Sequence, residues 1–370
     1  MNVQGRPTRP AAADAAARTT FTGNRALDIE EPLIFETGRF DASGVDVEDP
    51  APFVSRLGPL ARASAPDLPG LSEPEAVRHY VRLSRENYSI DAGLYPLGSC
   101  TMKHNPRLNE AIARLPGFAD AHPLQPESTV QGALEVVEAL AAALTTMTGM
   151  SAIAMSPKAG AHGELCGMMA IKAAIEARGE ASTRRVVLVP DSAHGTNPAT
   201  AALLGFSVRP VPAGVDGDVG VDAVRAALAS DVAAIMLTNP NTCGLFEREI
   251  VGIADAVRES GAYFYCDGAN FNAIVGKTRP GDLGVDAMHI NLHKTFSTPH
   301  GGGGPGSGPV GASARLKDYL PGPMVALQED AGECCYGLAM PVKSIGRVST
   351  FFGNFGMFVR AYAYIRQHGA

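Results

Sequence analysis

Residues 288–311 read MHINLHKTFSTPHGGGGPGSGPVG and join an alternating apolar pattern to a lysine and then to a run of glycines. Met288, Ile290 and Leu292 alternate with polar residues, which is the two-residue period of a β-strand, so we predict a strand that ends at Lys294. A desolvated lysine at such a position is an amine nucleophile, whereas most lysines are surface side chains. The glycines after Lys294 predict a loop, which is either a lid that moves or a plain flexible connection.

Short apolar runs alternate with helical patterns before this stretch. This alternation indicates βαβ units, and hence an α/β fold with a mostly parallel sheet flanked by helices. An earlier helix, Glu73–Asn87, is predicted with a capping box formed by Ser72 and Glu75. The predicted strands are Val186–Val189, Ala233–Leu237 and Ala262–Cys266, and the later helices are Ser128–Met150, one that runs through Ala177, Val221–Leu228 and Ile250–Ser260.

Polar turns follow the predicted strands, at the carboxyl edge where open α/β sheets bind ligands. We therefore predict that four turns converge there, with Lys294 as a fifth element. The first of them is rich in glycine and opens a helix, which suits either an anion site or a simple tight turn. The four turns are Lys158–Glu164, Asp191–Asn197, Thr238–Thr242 and Asp267–Asn270.

The predicted turns carry the groups that pyridoxal phosphate (PLP) requires. Its electron-sink chemistry needs a lysine for the aldehyde and a protonated ring nitrogen, which Asp267 would hold through a charge-assisted bond. We predict that His162 stacks on the ring and that Ala269 covers the other face. The remaining candidates are Gly160 and Ala161 for the phosphate, Thr238 or Asn239 for the phenolic oxygen, and His293 and Thr295, which flank Lys294.

Each of these residues also has a simpler interpretation. A strand-end aspartate such as Asp267 is often a helix cap. Asn239 belongs to Asn-Pro-Asn, a common turn, and His162 is compatible with a satisfied core histidine. The order of anion turn, amide turn, aspartate and lysine along one α/β pattern favours the PLP interpretation.

Composition limits the other classes of function. The chain has 370 residues, 45% of them hydrophobic, and a net charge of -7, so it can bury a large core but lacks a surface for nucleic acid. No apolar run reaches the length of a membrane span, and no metal site is predicted. The six cysteines form no C-x-x-C pair, which favours a reducing, cytoplasmic location.

Four regions are expected along the chain. They are an irregular N-terminal arm at residues 1–50, an N-terminal segment with an active-site loop at 51–127, a large PLP-binding domain at 128–320, and a linker with the start of a C-terminal region at 321–370. The last region contains an aromatic stripe that includes Phe355 and Phe358, which is typical of core or interface.

Several motifs together resemble the glycine decarboxylase P-protein of the glycine cleavage system, and in particular the PLP-carrying second subunit of the bacterial two-subunit form. The resemblance covers the chain from about Pro32 to its end. It rests on YPLGSCTMKHNP (Tyr95–Pro106), AGAHGEL (Ala159–Leu165), SAHGTNPA (Ser192–Ala199), DGANFNAIVG (Asp267–Gly276) and NLHKTFSTPHGGGGPG (Asn291–Gly306).

This resemblance implies a fold-type I PLP enzyme, a glycine dehydrogenase (aminomethyl-transferring) whose substrate is glycine. It implies that Lys294 is the Schiff-base lysine, Asp267 the ring-nitrogen partner and His162 the stacking residue. The implied partners are the P-protein alpha subunit, which shares the active site, and the lipoylated H-protein. Family members continue past the position of Ala370 into a small C-terminal domain, which we expect this chain to lack.

Two alternatives stay open on the sequence. One is another fold-type I PLP enzyme, such as an aldolase, a desulfurase or an amino-acid decarboxylase, which shares the general pattern. The other is a non-catalytic partner subunit, against which Lys294 argues. A nucleotide-binding Rossmann enzyme is disfavoured, because its glycine-rich fingerprint opens a helix early in a βαβ unit, whereas these glycines follow the last strands.

Overall fold

The computed structural model describes residues 31–39, 44, 48, 51, 52, 54–64, 66, 68–87, 89–91, 93, 103–300, 306–330 and 333–369. The chain divides into two compact units, and the division falls between residues 95 and 96. Most of the predicted arm, most of the segment YPLGSCTMKHNP and the glycines at 301–304 lie outside the described residues.

In the described residues of the first unit there are two α-helices, α1 (Ile34–Thr37) and α2 (Glu73–Glu86), and a short 3₁₀ helix, Gly58–Leu60. The capping box predicted for α2 is confirmed, since the Ser72 backbone N–H donates to Glu75 Oε2 at 2.8 Å. The structure ends this helix within one residue of the prediction, because capping signals fix a helix start and end closely.

The second unit is built on a seven-stranded sheet with the order β1-β7-β6-β5-β4-β2-β3. All neighbouring strands are parallel except β7, which runs antiparallel to both of its neighbours. The predicted mostly parallel sheet is therefore confirmed. The strands are β1 (Ala152–Ala154), β2 (Val186–Pro190), β3 (Ser207–Val211), β4 (Val232–Thr238), β5 (Tyr263–Asp267), β6 (Ala287–His289) and β7 (Val310–Ala312).

Helices cover both faces of this sheet. The longest are α5 and α6, which lie on opposite faces and bury apolar stripes against it. No helix in the described part of the chain combines the length and apolar character of a membrane span. The helices of this unit are α3 (Arg107–Ala113), α4 (Pro116–Ala119), α5 (Gln131–Thr148), α6 (Gly160–Ala177), α7 (Thr196–Leu203), α8 (Val221–Ala227), α9 (Ile250–Glu259), α10 (Leu292–Thr295) and α11 (Phe355–His368).

The alternation of side chains along the central strands determines the face of the sheet to which the last side chain of each strand points. In β5, Phe264 and Cys266 join the apolar cluster beneath α5, whereas Tyr263 and Tyr265 join the cluster beneath α6. Because side chains two residues apart share a face, Asp267 points to the α6 side. The same parity places Thr238 of β4 on that face.

The strand predicted to end at Lys294 is shorter than expected. The strand β6 ends at His289, and Lys294 lies in the short helix α10. The alternation at Met288, Ile290 and Leu292 continues past the end of the strand. All three side chains are fully buried, and a strand and a short helix can each bury side chains at these positions.

Among the strands, β1, β3 and a separate hairpin of β8 (Met324–Asp330) and β9 (Glu333–Ala339) had no counterpart in the sequence prediction. The strand β1 has only three residues. The strand β3 lies at the sheet edge with mostly exposed side chains and a proline, so it lacks the apolar run of a central strand.

The aromatic tail packs into the core of the second unit. Phe358 is completely buried, and α11 contacts α3 and α5. Arg360 on this helix forms hydrogen bonds of 2.8 and 2.9 Å with the carboxylate of Glu110. The core interpretation of the stripe is confirmed, while the proposed boundary at residue 320 stays a prediction.

Replacing Phe358 by alanine is expected to lower the free energy of unfolding by about 3–5 kcal/mol, because the change leaves a cavity in a packed core. The measurement is chemical denaturation of the full chain. The matched control is Leu203→Ala, whose side chain is 73% exposed and for which a change within about 0.5 kcal/mol is expected. Equal effects of the two substitutions would show that α11 does not belong to the core.

Candidate active site

Asp267 is the most constrained acidic group at the carboxyl edge of the sheet. It ends β5 with 3% of its surface exposed. Its Oδ1 accepts the backbone N–H of Ala269 at 3.0 Å, and its Oδ2 accepts the side-chain amide of Asn197 at 3.2 Å. Asp267 is therefore a cap for the following 3₁₀ helix as well as a candidate ligand, so the simpler interpretation of the residue and the functional one coexist.

A histidine approaches the same carboxylate from β6. His289 Nε2 lies 3.5 Å from Asp267 Oδ1, and His289 Nδ1 lies 2.7 Å from the hydroxyl of Tyr265. Burial alone would raise the pKa of Asp267, but His289, the two hydrogen bonds and the charge of Lys294 together hold this pKa below its ordinary value. Burial lowers the pKa of His289, so the imidazole is neutral and the aspartate is ionised.

Thr238 lies directly opposite Asp267 in the pairing of β4 with β5. Its hydroxyl is buried and has no hydrogen-bond partner among the described residues, and the same holds for the Asn239 side-chain nitrogen. The Asn239 side-chain oxygen accepts the backbone N–H of Glu247 at 3.0 Å, which fixes the amide. Two polar groups are thus held beside Asp267 without a partner of their own.

The helix α6 begins at Gly160, inside the turn predicted at Lys158–Glu164, so the helix starts earlier than predicted. Its first N–H groups lack carbonyl partners within the helix, an arrangement that favours an anion, and the anion site itself stays a prediction. Ala161 follows in the same first turn. A Cβ on Gly160 would overlap the side chain of Asn291, and one on Gly308 would overlap the backbone of Ala159. Glycine is therefore required where the loop after Lys294 passes the helix end.

His162 is half-buried at this helix end. Its Nδ1 accepts the Lys158 backbone N–H at 3.2 Å, and burial together with the Lys158 charge lowers the pKa of its ring. A neutral ring held by its own turn is consistent with a stacking role, although the hydrogen bond would also suit a purely structural histidine. The stacking role of His162 stays a prediction.

Lys294 lies in α10 and is partly buried. Its ammonium group contributes to the lowered pKa of Asp267, so the two charges face the same region. The hydroxyl of its neighbour Thr295 is buried without a partner among the described residues. The predicted proximity of lysine and aspartate at one sheet edge thus rests on this effect of Lys294 on the pKa of Asp267.

His293 precedes Lys294 and is almost fully buried. Its Nδ1 lies 3.1 Å from the carbonyl oxygen of Ser307, and its ring centroid lies 4.7 Å from that of His300. Burial, with the nearby charges of His300, Lys103 and Lys294, lowers the pKa of His293 to about 3. The ring is therefore neutral at physiological pH, and its bond to Ser307 ties α10 to the end of the glycine-rich loop.

The predicted convergence of the four turns is confirmed by bonds between them. The Asn197 amide reaches Asp267, and the Asn270 amide donates to the carbonyl of Pro240 at 3.2 Å. The Thr242 hydroxyl donates to the carbonyl of Ser192 at 2.5 Å. The first turn joins the others through Glu164, whose carboxylate accepts the Asn197 amide at 2.8 Å.

Two residues of this site were not singled out from the sequence. Glu164 lies near the start of the helix GAHGELCGMMAIKAAIEA, whose other charged residues are Lys172 and Glu176, and has 1% of its surface exposed. A charge next to the apolar run that begins at Leu165 was a signal that the sequence offered. His289 belongs to a strand with an alternating pattern. That it lies on the same face of the sheet as Asp267 can be seen only when β5 and β6 are paired.

The unpartnered groups fit the polar atoms of PLP. Ala269, which Asp267 caps, is small enough to border a planar ring. The helix end offers a place for the phosphate and Asp267 one for the ring nitrogen. The buried side-chain atoms without a partner among the described residues include atoms of Thr238, Asn239, Asn291, Thr295 and Ser307.

Two solved structures share the fold of this chain. A glycine decarboxylase (P-protein) of the glycine cleavage system in inhibitor-bound form matches with a TM-score of 0.68 and 21% identity, over 87% of this chain and 77% of the other. TDC of Oryza sativa with PLP and tryptamine matches with a TM-score of 0.58 and 16% identity, over 86% and 68%. The architecture is that of the fold-type I PLP-dependent enzymes.

Sequence comparison then identifies the family. Residues 59–344 match the family model described as glycine cleavage system P-protein. A protein of Caulobacter vibrioides named "Probable glycine dehydrogenase (decarboxylating) subunit 2" is 59% identical over 380 aligned positions, which cover all of this chain and 71% of that relative. The chain belongs to the glycine cleavage system P-protein family, and the predicted resemblance is confirmed.

Replacing Asp267 by asparagine keeps the shape of the side chain and removes its charge. We expect PLP to bind at least about tenfold more weakly, because a hydrogen bond to a charged group contributes about 1.5–3 kcal/mol. Absorbance titration of the chain with PLP measures this. The control is Asp255→Asn on the exposed side of α9, for which affinity is expected to be unchanged. Unaltered affinity in Asp267→Asn would remove this residue from the site.

Proposed function

We propose that this chain decarboxylates glycine with PLP and passes the remaining aminomethyl group to the lipoyl arm of H-protein. The observation that carries the proposal is the buried, ionised Asp267 beside Lys294, among polar groups that lack partners. The relatives named glycine dehydrogenase (decarboxylating) subunit 2 support the choice of reaction.

Lys294 would bond to the cofactor aldehyde, and the start of α6 would hold the phosphate. Thr238 or Asn239 would donate to the phenolic oxygen, and His162 and Ala269 would border the two ring faces. When bound, PLP supplies an electron-withdrawing ring that accepts the electron pair left by departing carbon dioxide.

Asp267 contributes a fixed negative charge. Its hydrogen bonds to Ala269 and Asn197 hold it in place before the reaction begins, so no reorganisation is needed as charge develops. The charge keeps a proton on the ring nitrogen. Because Asp267 is buried, water does not compete for this interaction.

Lys294 would have a second task when glycine is bound to the cofactor, since its free Nζ amine would hold or deliver a proton. His293 is held neutral by burial and by its neighbours' charges, so it is a poor proton donor at neutral pH. We therefore assign the proton to Lys294.

The partners follow from the same proposal. The relatives' designation "subunit 2" implies a partner subunit, which we propose is the P-protein alpha subunit. The lipoylated H-protein would be the acceptor. The described cysteines Cys166, Cys243, Cys266 and Cys335 are free thiols, which supports the proposed reducing, cytoplasmic location.

Exchange of labelled bicarbonate into the carboxyl group of glycine tests the reaction. The chain, combined with its partner subunit and PLP, is expected to catalyse this exchange, and lipoylated H-protein is expected to accelerate it. Lys294→Ala is expected to lower the rate by at least about a thousandfold, as the loss of a covalent catalytic group does. Borohydride reduction followed by peptide mapping is expected to find the cofactor on Lys294.

The matched control for this test is Lys277→Ala, since Lys277 is exposed and lies outside the site. Its exchange rate is expected to equal that of the unaltered chain. If the loaded complex exchanges no carbon dioxide into glycine but decarboxylates another amino acid, the reaction assignment is wrong and the alternative fold-type I decarboxylase is correct.

A further inference from the structure

We propose that Glu164 is a positioning residue for Asp267, which it holds through Asn197, and that the proton on Glu164 responds to the charge bound at Asp267. The inference deepens the proposed function, because it rests on PLP occupying this site. It assigns a role to the buried carboxyl of Glu164, which neither the motif around Lys294 nor the turns at the strand ends had indicated.

The geometry is a carboxylate–amide–carboxylate bridge. The side-chain nitrogen of Asn197 donates to Glu164 Oε2 at 2.8 Å and to Asp267 Oδ2 at 3.2 Å. An amide nitrogen carries two hydrogens, so each carboxylate receives one of them. Since Asn197 is completely buried, its amide has no freedom to turn, and Glu164 fixes the donor that orients Asp267.

The second oxygen of Glu164 shows that this carboxyl is not satisfied as an anion. Oε1 is buried and has no partner among the described residues, whereas Oε2 also accepts the Thr196 hydroxyl at 3.3 Å. Burying an ionised oxygen without donors is costly, so a proton on Oε1 is favoured. Burial, reinforced by the charge of Asp267, raises the pKa of Glu164 to about 7, although hydrogen bonds from Thr200, Asn197 and Thr196 act in the opposite direction.

The surrounding titratable groups come from every element that packs against this helix face. Burial raises the pKa of Cys166 and of Cys266 to about 12 and that of Tyr265 well above its usual value, so these three stay protonated. His289 is neutral. The groups that carry or can carry charge near Glu164 are therefore Asp267 on β5, Lys294 on α10 and His194 in the turn before α7.

The link to the cofactor follows from charge. The negative charge of Asp267 favours the proton on Glu164. A protonated ring nitrogen bound at Asp267 is a cation, and it would offset that negative charge. Binding therefore favours ionised Glu164, and ionised Glu164 favours binding to the same extent. Below the pKa of Glu164 a glutamine in its place is equivalent to the protonated acid, whereas above that pKa the glutamine lacks the second negative charge.

The first measurement needs no cofactor. Because the folded-state pKa of Glu164 lies above its usual 4.5, the associated stability is present at low pH and is lost as pH rises through about 7. Between about pH 6 and about pH 8 the melting temperature of apo Glu164→Gln should therefore fall less than that of the unaltered chain. The control Glu176→Gln changes an exposed acid on the same helix and should follow the unaltered chain.

The second measurement is the PLP dissociation constant by absorbance titration. Glu164→Gln should bind PLP as tightly as the unaltered chain at about pH 6 and at least about threefold more weakly at about pH 8. Glu176→Gln should match the unaltered chain at both. Two results would overturn the role of Glu164 while leaving PLP binding and the proposed function intact. One is an equal change of melting temperature with pH in Glu164→Gln and the unaltered chain, and the other is a ratio of their PLP affinities that does not change with pH.

Failure of the proposed function gives a different result. If borohydride attaches no PLP to Lys294, that function fails, and the melting curves still test the proton on Glu164. If Glu164→Gln does not fold, infrared difference spectroscopy of the unaltered chain replaces it. PLP added at about pH 7, where this carboxyl is partly protonated, should then weaken the band of a protonated carboxyl, and an unchanged band would overturn the proposal.

Discussion

A carboxylate that stays ionised while buried is the constraint on which the rest of this site depends. Burial alone would protonate Asp267, and what prevents this is a set of donors and charges from four separate segments. The Ala269 backbone, the Asn197 amide, the His289 ring and the Lys294 ammonium group each contribute. Moving any one of these segments would raise the pKa of Asp267 and favour its neutral form, which cannot form an ion pair with a cationic ring nitrogen.

The parallel sheet is what brings those segments together. Its strands deliver their carboxyl ends to one edge, and strand parity turns Asp267 and Thr238 towards the face covered by α6. The helix then presents its unpaired N–H groups at the same edge. Close approach of the loop after Lys294 to the helix start requires Gly308, whose Cβ would collide with the backbone of Ala159, and Gly160 leaves room for the side chain of Asn291.

Much of this arrangement was predictable from the sequence, because apolar runs mark buried parallel strands and polar turns mark their ends. The central strands β2, β4 and β5 and the convergence of the turns are confirmed, whereas α6 begins at Gly160, inside the predicted turn. The helical conformation at Lys294 was not predictable, because a fully buried segment shows the same alternation in either conformation. The edge strand β3 was missed because exposure removes the apolar signal.

The hydrogen bonds that connect Asp267 through Asn197 to Glu164 could not be predicted from local sequence patterns. Glu164 lies more than thirty residues from Asn197 and more than one hundred from Asp267 in the sequence, and only the packing of α6 and α7 on the sheet joins them. Periodicity reports which side chains are buried, but it does not report which buried polar groups meet. The roles of His162, His293 and Thr295 at the cofactor likewise depend on contacts that appear only with the cofactor bound.

A crystal structure of the chain loaded with PLP examines the assignment of Asp267 and Lys294 most directly. The expected result is a covalent bond from Lys294 Nζ to the cofactor, with an oxygen of Asp267 about 2.7–2.9 Å from the ring nitrogen, as in other charge-assisted hydrogen bonds. A cofactor bound elsewhere, or one whose ring nitrogen faces a group other than Asp267, would contradict it.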